Sequence, residues 1–197
     1  MVHFTGVGVV LAYAVSLALA QSNLPDVPPG VFNASTRIEI DAPLEKVWNA
    51  VVNFTDYPNW SPFVRSQIVA DDFFVPLANQ TAVEGRRLII NVQIPPLPLP
   101  VNASTPPNPL HSQISLENIT AVQPELGRVA WGQIFIPSAI LDAVRWSAVS
   151  KVGNKTLYES REVYGGPLAY AVQDLYGEGL QEAFDATGVA LKALLEG

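Results

Sequence analysis

The chain has 197 residues, with 11 Lys and Arg against 18 Asp and Glu, giving a formal charge of −7. That length suits one domain plus a targeting segment, and an acidic chain without a basic run argues against a nucleic-acid partner or an anionic membrane surface. Cysteine is absent and histidine occurs only as His3 and His111, which removes disulfide scaffolds, Cys-ligated zinc and thiol nucleophiles together.

The first twenty residues carry no charged side chain, and an apolar stretch from Gly6 ends in Ala18-Leu19-Ala20. Small residues at that spacing predict a signal peptide cleaved before Gln21. Gln21, Ser22, Asn23 and Asp26 interrupt the stretch before the roughly 20 apolar residues that a bilayer requires, so no membrane span is expected after cleavage. The sequon N-x-S/T occurs at seven of the eleven asparagines. Serine and threonine make up 20 of the 197 residues, so chance would supply about one. Asn59 is a poor acceptor because Pro62 follows its sequon. Asn33, Asn53, Asn79, Asn102, Asn118 and Asn154 are the expected glycosylation sites of a secreted or lumenal chain.

Residues 21–35 hold Pro25, Pro28, Pro29 and Gly30 and read as an extended leader. Structure is expected from about Thr36, where Arg37-Ile38-Glu39-Ile40 alternates with period two. Asp41-Ala42-Pro43 supplies a cap and a first-turn proline, and Leu44, Val47, Trp48 and Val51 form one stripe of a short helix. A second short helix follows in NFTDYPNWSP, broken by Pro58 or Pro62. From Phe63 to Tyr164 the chain reads as consecutive strands: 64–70, 88–94, 110–117, 128–135, 144–151 and 156–164. Short turns between them favour an antiparallel sheet with one wet and one buried face. The segment 95–109 holds seven prolines and is expected as a stiff loop over one end of the sheet.

Beyond Gly165-Gly166-Pro167 the period changes to 3.6. Leu168, Val172, Leu175, Tyr176, Leu180, Ala183, Phe184, Thr187, Leu191, Leu194 and Leu195 define one face of a helix of some 28 residues. Gly177, Gly179 and Gly188 inside it each cost about 1 kcal/mol relative to Ala, which predicts a close approach by a neighbour or a bend.

One strand, two short helices, a curved antiparallel sheet and a long terminal helix pack economically as an α+β helix-grip, the sheet wrapped around the helix. The segments IEIDAPLEKVWNAVVNFTDYPNWSPF (38–63), RVAWGQ (128–133), TLYESREVYGGPLA (156–169) and AFDATGVALKALLE (183–196) resemble the SRPBCC superfamily. This superfamily of START-like helix-grip proteins includes a polyketide cyclase/dehydrase-like group that these segments resemble most. The resemblance implies a domain over residues 36–197 with a hydrophobic cavity between sheet and helix, a hydrophobic small-molecule partner and no cofactor. It also implies either a cyclase or dehydratase acting on a carbonyl-rich polyketide-type substrate, or a carrier for a lipid, sterol or aromatic metabolite.

Strand parity then sorts the candidates, with the apolar row of each strand expected to face the helix. The strands supply Ile68, then Leu88, Ile90 and Val92, then Ile114 and Leu116, and finally Trp131 and Trp146 as cavity lining. The helix supplies Leu175, Tyr176 and Phe184, and Trp60 sits at the expected mouth. His111 shares a row with Gln113, Ser115 and Glu117 and is expected to face water, so neither a Ser-His-acid triad nor a metal site is foreseen. In the last strand, an inward row of Thr156, Tyr158, Ser160 and Glu162 would offer Tyr158 as a hydrogen-bond donor to an enolate and Glu162 as a proton shuttle. A solvated row is the alternative. Arg145 and Glu84 are weaker candidates of the same kind.

Overall fold

The alternating segment after the leader forms the edge of the sheet. A computed structural model describes residues 21–197 and places β1 at Phe32–Ile40. This strand begins earlier than its alternation suggested, because Phe32 stacks on Tyr164 with ring centroids 4.5 Å apart and residues 32–35 pair with 161–164. The expected signal segment, residues 1–20, lies outside the described residues.

Helix α1 (Leu44–Val52) turns Val47 and Val51 into the core. Asp41 is not its cap: Pro43 occupies that position without a side-chain hydrogen bond, and the Asp41 amide instead donates to Glu196 at 2.6 Å. A single 3₁₀ turn at Phe54–Asp56 and α2 (Tyr57–Trp60) follow. Then come β2 (Val64–Ala70), β3 (Arg87–Gln93), β4 (Ser112–Gln123), β5 (Arg128–Gln133), β6 (Asp142–Val152) and β7 (Lys155–Gly165). All pairings are antiparallel, in the order β1-β7-β6-β5-β4-β3-β2. The terminal helix α3 (Ala169–Glu196) lies in the concave face and buries Leu180, Ala183, Phe184, Thr187 and Leu191. This is the helix-grip architecture. No helix among the described residues is long and apolar enough to cross a membrane.

Two close approaches explain two of the helix glycines. A β-carbon on Gly188 would meet Thr36 Oγ1 of β1 at 2.6 Å, and one on Gly179 would meet Ile94 and Pro95 at 3.0–3.4 Å. Without a side chain at these positions, α3 can sit against both the edge strand and the start of the proline-rich loop. The leader is tied to the outer face of the sheet through Asn23. Its amide donates to Glu159 at 2.8 Å, its side chain donates to the carbonyls of Leu126 and Val149, and Arg128 donates back to its Oδ1. The Arg161 guanidinium holds the Pro25 carbonyl at 2.7 Å.

Candidate functional site

A strand alternates strictly, so fixing one inward residue fixes its row until a bulge intervenes. Ile38 and Thr36 of β1 touch α3 at Gly188, and their partners on β7 are Tyr158 and Ser160. The inward row of β7 is therefore Thr156, Tyr158, Ser160, Glu162 and Tyr164. Register carries the same face through Arg145 and Ser147 on β6, Trp131 and Gln133 on β5, and Gln113, Ser115, Glu117 and Ile119 on β4.

Toward one end of α3 these rows leave a hollow of about 250 Å³. Its sheet wall is polar: Ser115, Glu117, Gln133, Glu162 and Tyr164. Its opposite wall is apolar, with Val172, Tyr176 and Leu180 of α3 closed off by Phe63, Ile94 and Leu141. Two larger clefts of about 550 Å³ lie outside this interior, one against α1 and one on the outer face. The lining of the first holds no carboxyl group and that of the second only Asp142. A further cleft of about 470 Å³ along the first turns of α3 gathers Asp174, Glu178 and Glu182, all three exposed to solvent.

The acids in the hollow hold their protons unusually well. Glu117 is buried and its pKa rises to about 8, first because burial disfavours the charged form and then because the Glu162 charge repels a second anion. The Glu162 pKa is also raised by burial, against the opposing pull of Arg145 and a hydrogen bond with Tyr164. The surface that Glu162 retains is the wall of the hollow. A charge on Glu162 raises the proton affinity of Glu117 further, so the pair favours a single anion. Burial followed by the charge of Glu162 raises the Tyr164 hydroxyl well above its ordinary value, so it remains a donor at neutral pH.

Arg145 sits behind this wall, directly across the β6–β7 ladder from Glu162. Its guanidinium carbon lies 4.5 Å from the ring centre of Phe184, 5.5 Å from Trp131 and 5.6 Å from Phe63. Nε donates to Ser160 Oγ at 3.0 Å, which in turn contacts Ser147 Oγ at 3.0 Å. Nη2 is buried without a hydrogen-bond partner. Burial alone would lower its proton affinity, but Tyr158, Tyr57 and Glu162 around it more than reverse that. The arrangement is a cation held by three aromatic faces, with one donor uncommitted.

Sequence parity placed some candidates here and others on the wrong face. Leu88, Ile90 and Val92 point inward, Val92 on the hollow and the others in the core. Trp131 and Phe184 are inward as expected and hold Arg145, and Tyr176 lines the hollow. Glu162 lies in the hollow wall, whereas Tyr158 is buried beside Arg145 and is not part of that wall. Trp60 is buried against Tyr57, not at a mouth.

Five candidates require correction. Ile68 is on the outer row, because a bulge between Val64 and Ser66 shifts the parity and turns Gln67 and Val69 inward. Ile114 and Leu116 are outward as well, Ile114 being 70% exposed at the rim of the hollow. The inner row of β4 is polar where it borders a hollow, so choosing the more apolar row selected the wrong face. Trp146 is outward for the same reason: Arg145 and Ser147 take the inner positions, and Trp146 lines the outer cleft with Val27 and Pro28. Leu175 is 74% exposed, since it lies five residues before Leu180 and hence about 140° around the helix.

The missed residues are Glu117 and Tyr164. Glu117 shares a row with His111 whose polarity reads as solvent-facing. His111 lies in the turn before β4 and contacts Asn108 at 3.3 Å, and Glu84 is exposed on the loop before β3. The six expected glycosylation asparagines are exposed, except Asn118, which is half-buried on the outward row and accepts from Arg87 at 3.0 Å.

No curated protein matches this sequence. Residues 31–89 match the family model described as "Polyketide cyclase / dehydrase and lipid transport". Among solved structures, the chain is similar to hypothetical protein jhp0584 from Helicobacter pylori, at 12% identity with a TM-score of 0.64, covering 90% of this chain and 99% of that one. It is also similar to protein NE0264 from Nitrosomonas europaea (12% identity, TM-score 0.55, 83% and 94% covered). TTHA0849 from Thermus thermophilus gives 13% identity and a TM-score of 0.55, with 83% and 97% covered. At such identities the structures share a fold, and the chain is a helix-grip protein whose residues 31–89 are similar to the polyketide cyclase/dehydrase and lipid transport family.

Proposed function

We propose that this protein is a secreted glycoprotein that binds a small, flat, carbonyl-bearing molecule of polyketide type in the hollow and catalyses its cyclisation or dehydration without a cofactor. The observation that carries this reading is the sharing of one cavity wall by Glu117 and Glu162, where burial raises the pKa of both and a charge on Glu162 raises that of Glu117 further. A single anion beside a protonated carboxyl group is the arrangement that general acid–base chemistry requires. Glu162, as the anion, takes a proton from the carbon beside a ligand carbonyl. The freed electron pair moves onto the carbonyl oxygen, which Glu117 protonates, while the Tyr164 hydroxyl holds Glu162 in place by donating to its carboxylate. The carbon of the resulting enol attacks a second carbonyl of the same molecule, whose oxygen takes the proton held by Glu162 while the enol proton returns to Glu117. Glu162 then removes a remaining proton from that carbon as Glu117 protonates the new hydroxyl, which leaves as water, and a proton passing from Glu162 to Glu117 resets the pair.

Size limits the ligand. A cavity of about 150 Å³ accommodates benzene, so 250 Å³ suits a molecule of one to two rings. Burying about 300 Å² of apolar ligand surface contributes roughly 7 kcal/mol before association and ordering costs, short of the about 8 kcal/mol net that micromolar binding needs, so hydrogen bonds to the polar wall must supply the rest. The polar wall makes the hollow roomy and polar enough for water, which a ligand with oxygens along one edge would replace.

The test is turnover of short linear 1,5-diketones, which can close a six-membered ring and lose water, by the purified full chain, followed by chromatography and mass. Wild type is expected to release a cyclised product or one lacking the elements of water. Glu162→Gln is expected to bind the same compound and to lose about 10²-fold or more in rate. Saturable binding with unchanged ligand recovered from the wild type would replace catalysis by carriage. That second reading draws on the position of Tyr158 behind the wall, which leaves few groups able to touch a ligand. Secretion is supported by the sequons and the apolar first twenty residues, and is tested by a mass decrease of the exported protein on glycosidase treatment.

A further inference from the structure

The cleft against α1 is built around two sequons. Asn53 and Thr55 from the end of α1, and Asn79 and Thr81 from the loop between β2 and β3, all line one open groove of about 550 Å³. Its remaining lining includes the half-buried Trp48 and the apolar Val122. In each sequon the threonine hydroxyl donates to the asparagine carboxamide oxygen, at 3.0 Å for Thr55 to Asn53 and 2.7 Å for Thr81 to Asn79. Neither Asn53 nor Asn79 spends its side-chain nitrogen on a hydrogen bond among the described residues. Asn59 differs, since its nitrogen donates to Asp56 at 2.6 Å.

We infer that this groove is a carbohydrate dock for the protein's own N-linked glycans, with the first sugar on Asn53 or Asn79 lying on the Trp48 ring. A pyranose presents polar hydroxyls at its rim and a face of C–H groups, and the negative face of an indole attracts such a C–H face. The groove supplies an indole in its lining, amide groups and two attachment points. Its lining shares no residue with the hollow, so the glycan anchors α1 to the β2–β3 loop without touching the ligand site. The inference rests on the secretory reading above.

The experiment uses the full chain exported from a glycosylating eukaryotic host. Glycopeptide mass spectrometry reads occupancy at Asn53 and Asn79, and NMR of protein trimmed to single N-acetylglucosamine residues reads the N-acetyl methyl resonances. An upfield-shifted methyl with nuclear Overhauser contacts to the Trp48 indole is expected in wild type, returning to the free-sugar position in Trp48→Ala at unchanged occupancy. Loss of the docked sugar through Asn53→Gln with Asn79→Gln is expected to lower Tm by about 2–4 °C. An occupied site whose methyl is unshifted and contacts no indole overturns the dock while leaving the glycoprotein reading intact. Absence of glycan at both asparagines overturns the dock, and absence at all six overturns the glycoprotein reading with it.

Discussion

The two ends of the sheet–helix interior are built from the same strands in opposite ways. Toward α1 and α2 the inward rows meet Phe54, Tyr57 and Trp60, and the space is filled: Phe54 packs edge-on to Trp131 at 5.5 Å and Tyr57 lies 4.7 Å from Trp60. Toward the start of α3 the same rows turn to Glu117, Gln133 and Glu162 and leave a hollow. Row β4 makes the change within one strand, from Gln113 and Ser115 through Glu117 to the fully buried Ile119. Stability in this fold is concentrated where the rows are apolar, and binding capacity where they are not.

Substitutions that remove volume should separate the ends most sharply. Phe184 is fully buried between Arg145 and Phe63, so Phe184→Ala is expected to cost about 3–5 kcal/mol. Leu180→Ala borders existing space and should cost nearer 2 kcal/mol, the low end for a buried leucine. Urea unfolding midpoints measure both, and equal losses would remove the distinction between the ends.

Arg145 stands at the boundary and tests it differently. Replacement by Met keeps the contacts with the three rings but withdraws the charge that draws Glu162 toward ionisation. The Glu162 pKa should rise further, visible in the pH titration of its carboxyl carbon by NMR. Substituting a buried charge with an apolar side chain is often neutral when the partner can neutralise itself. The loss of stability should therefore be small at low pH, where Glu162 is protonated, growing to about 2 kcal/mol or more above its new pKa.

Glu117 predicts a pH window. Its pKa is near 4.5 for an unperturbed group and about 8 in the fold, so between those values the folded chain binds a proton that the unfolded chain has released. Stability from this group is complete below about pH 4.5 and is lost as pH rises through about 8. Denaturation midpoints from pH 5 to 9 should fall with pH at up to about 1.4 kcal/mol per unit, and Glu117→Gln should flatten that slope. A slope unchanged by the substitution would locate the proton elsewhere in the hollow.

Sequence reasoning reached the fold well and the hollow poorly, and both results have one cause. Elements with a uniform pattern, such as the stripe Leu180, Phe184, Leu191 or the row Leu88, Ile90, Val92, declare their buried face directly. A cavity wall inverts that logic, because a row that faces a ligand can be polar: Ser115 and Glu117 read as solvent-facing, and Ile114 and Leu116 as cavity lining. The bulge in β2 adds a parity change that no periodicity reports until pairing is known. The one polar row weighed as inward, that of Glu162, was singled out because its alternation had no apolar side to prefer.

The glycines of α3 give the finest form of the comparison. Gly188 faces the packed end, where an added β-carbon would meet Thr36 Oγ1 at 2.6 Å, so Gly188→Ala must move the Thr36 side chain or the strand that carries it and is expected to destabilise. Gly177 lies near the hollow, and a β-carbon there meets only Gln173 Cγ of its own helix at 3.5 Å, ordinary contact. Gly177→Ala should therefore gain the ordinary helix-propensity difference of about 1 kcal/mol, raising Tm by about 2–4 °C. Because Gly177 follows directly on Tyr176 of the hollow wall, the same variant reports whether ligand entry needs this turn of the helix to open. A stabilised protein that binds its ligand at the wild-type rate means the hollow is reached without helix opening. A stabilised protein that binds more slowly means that the glycine is retained for access, and that the looseness of this end serves the site.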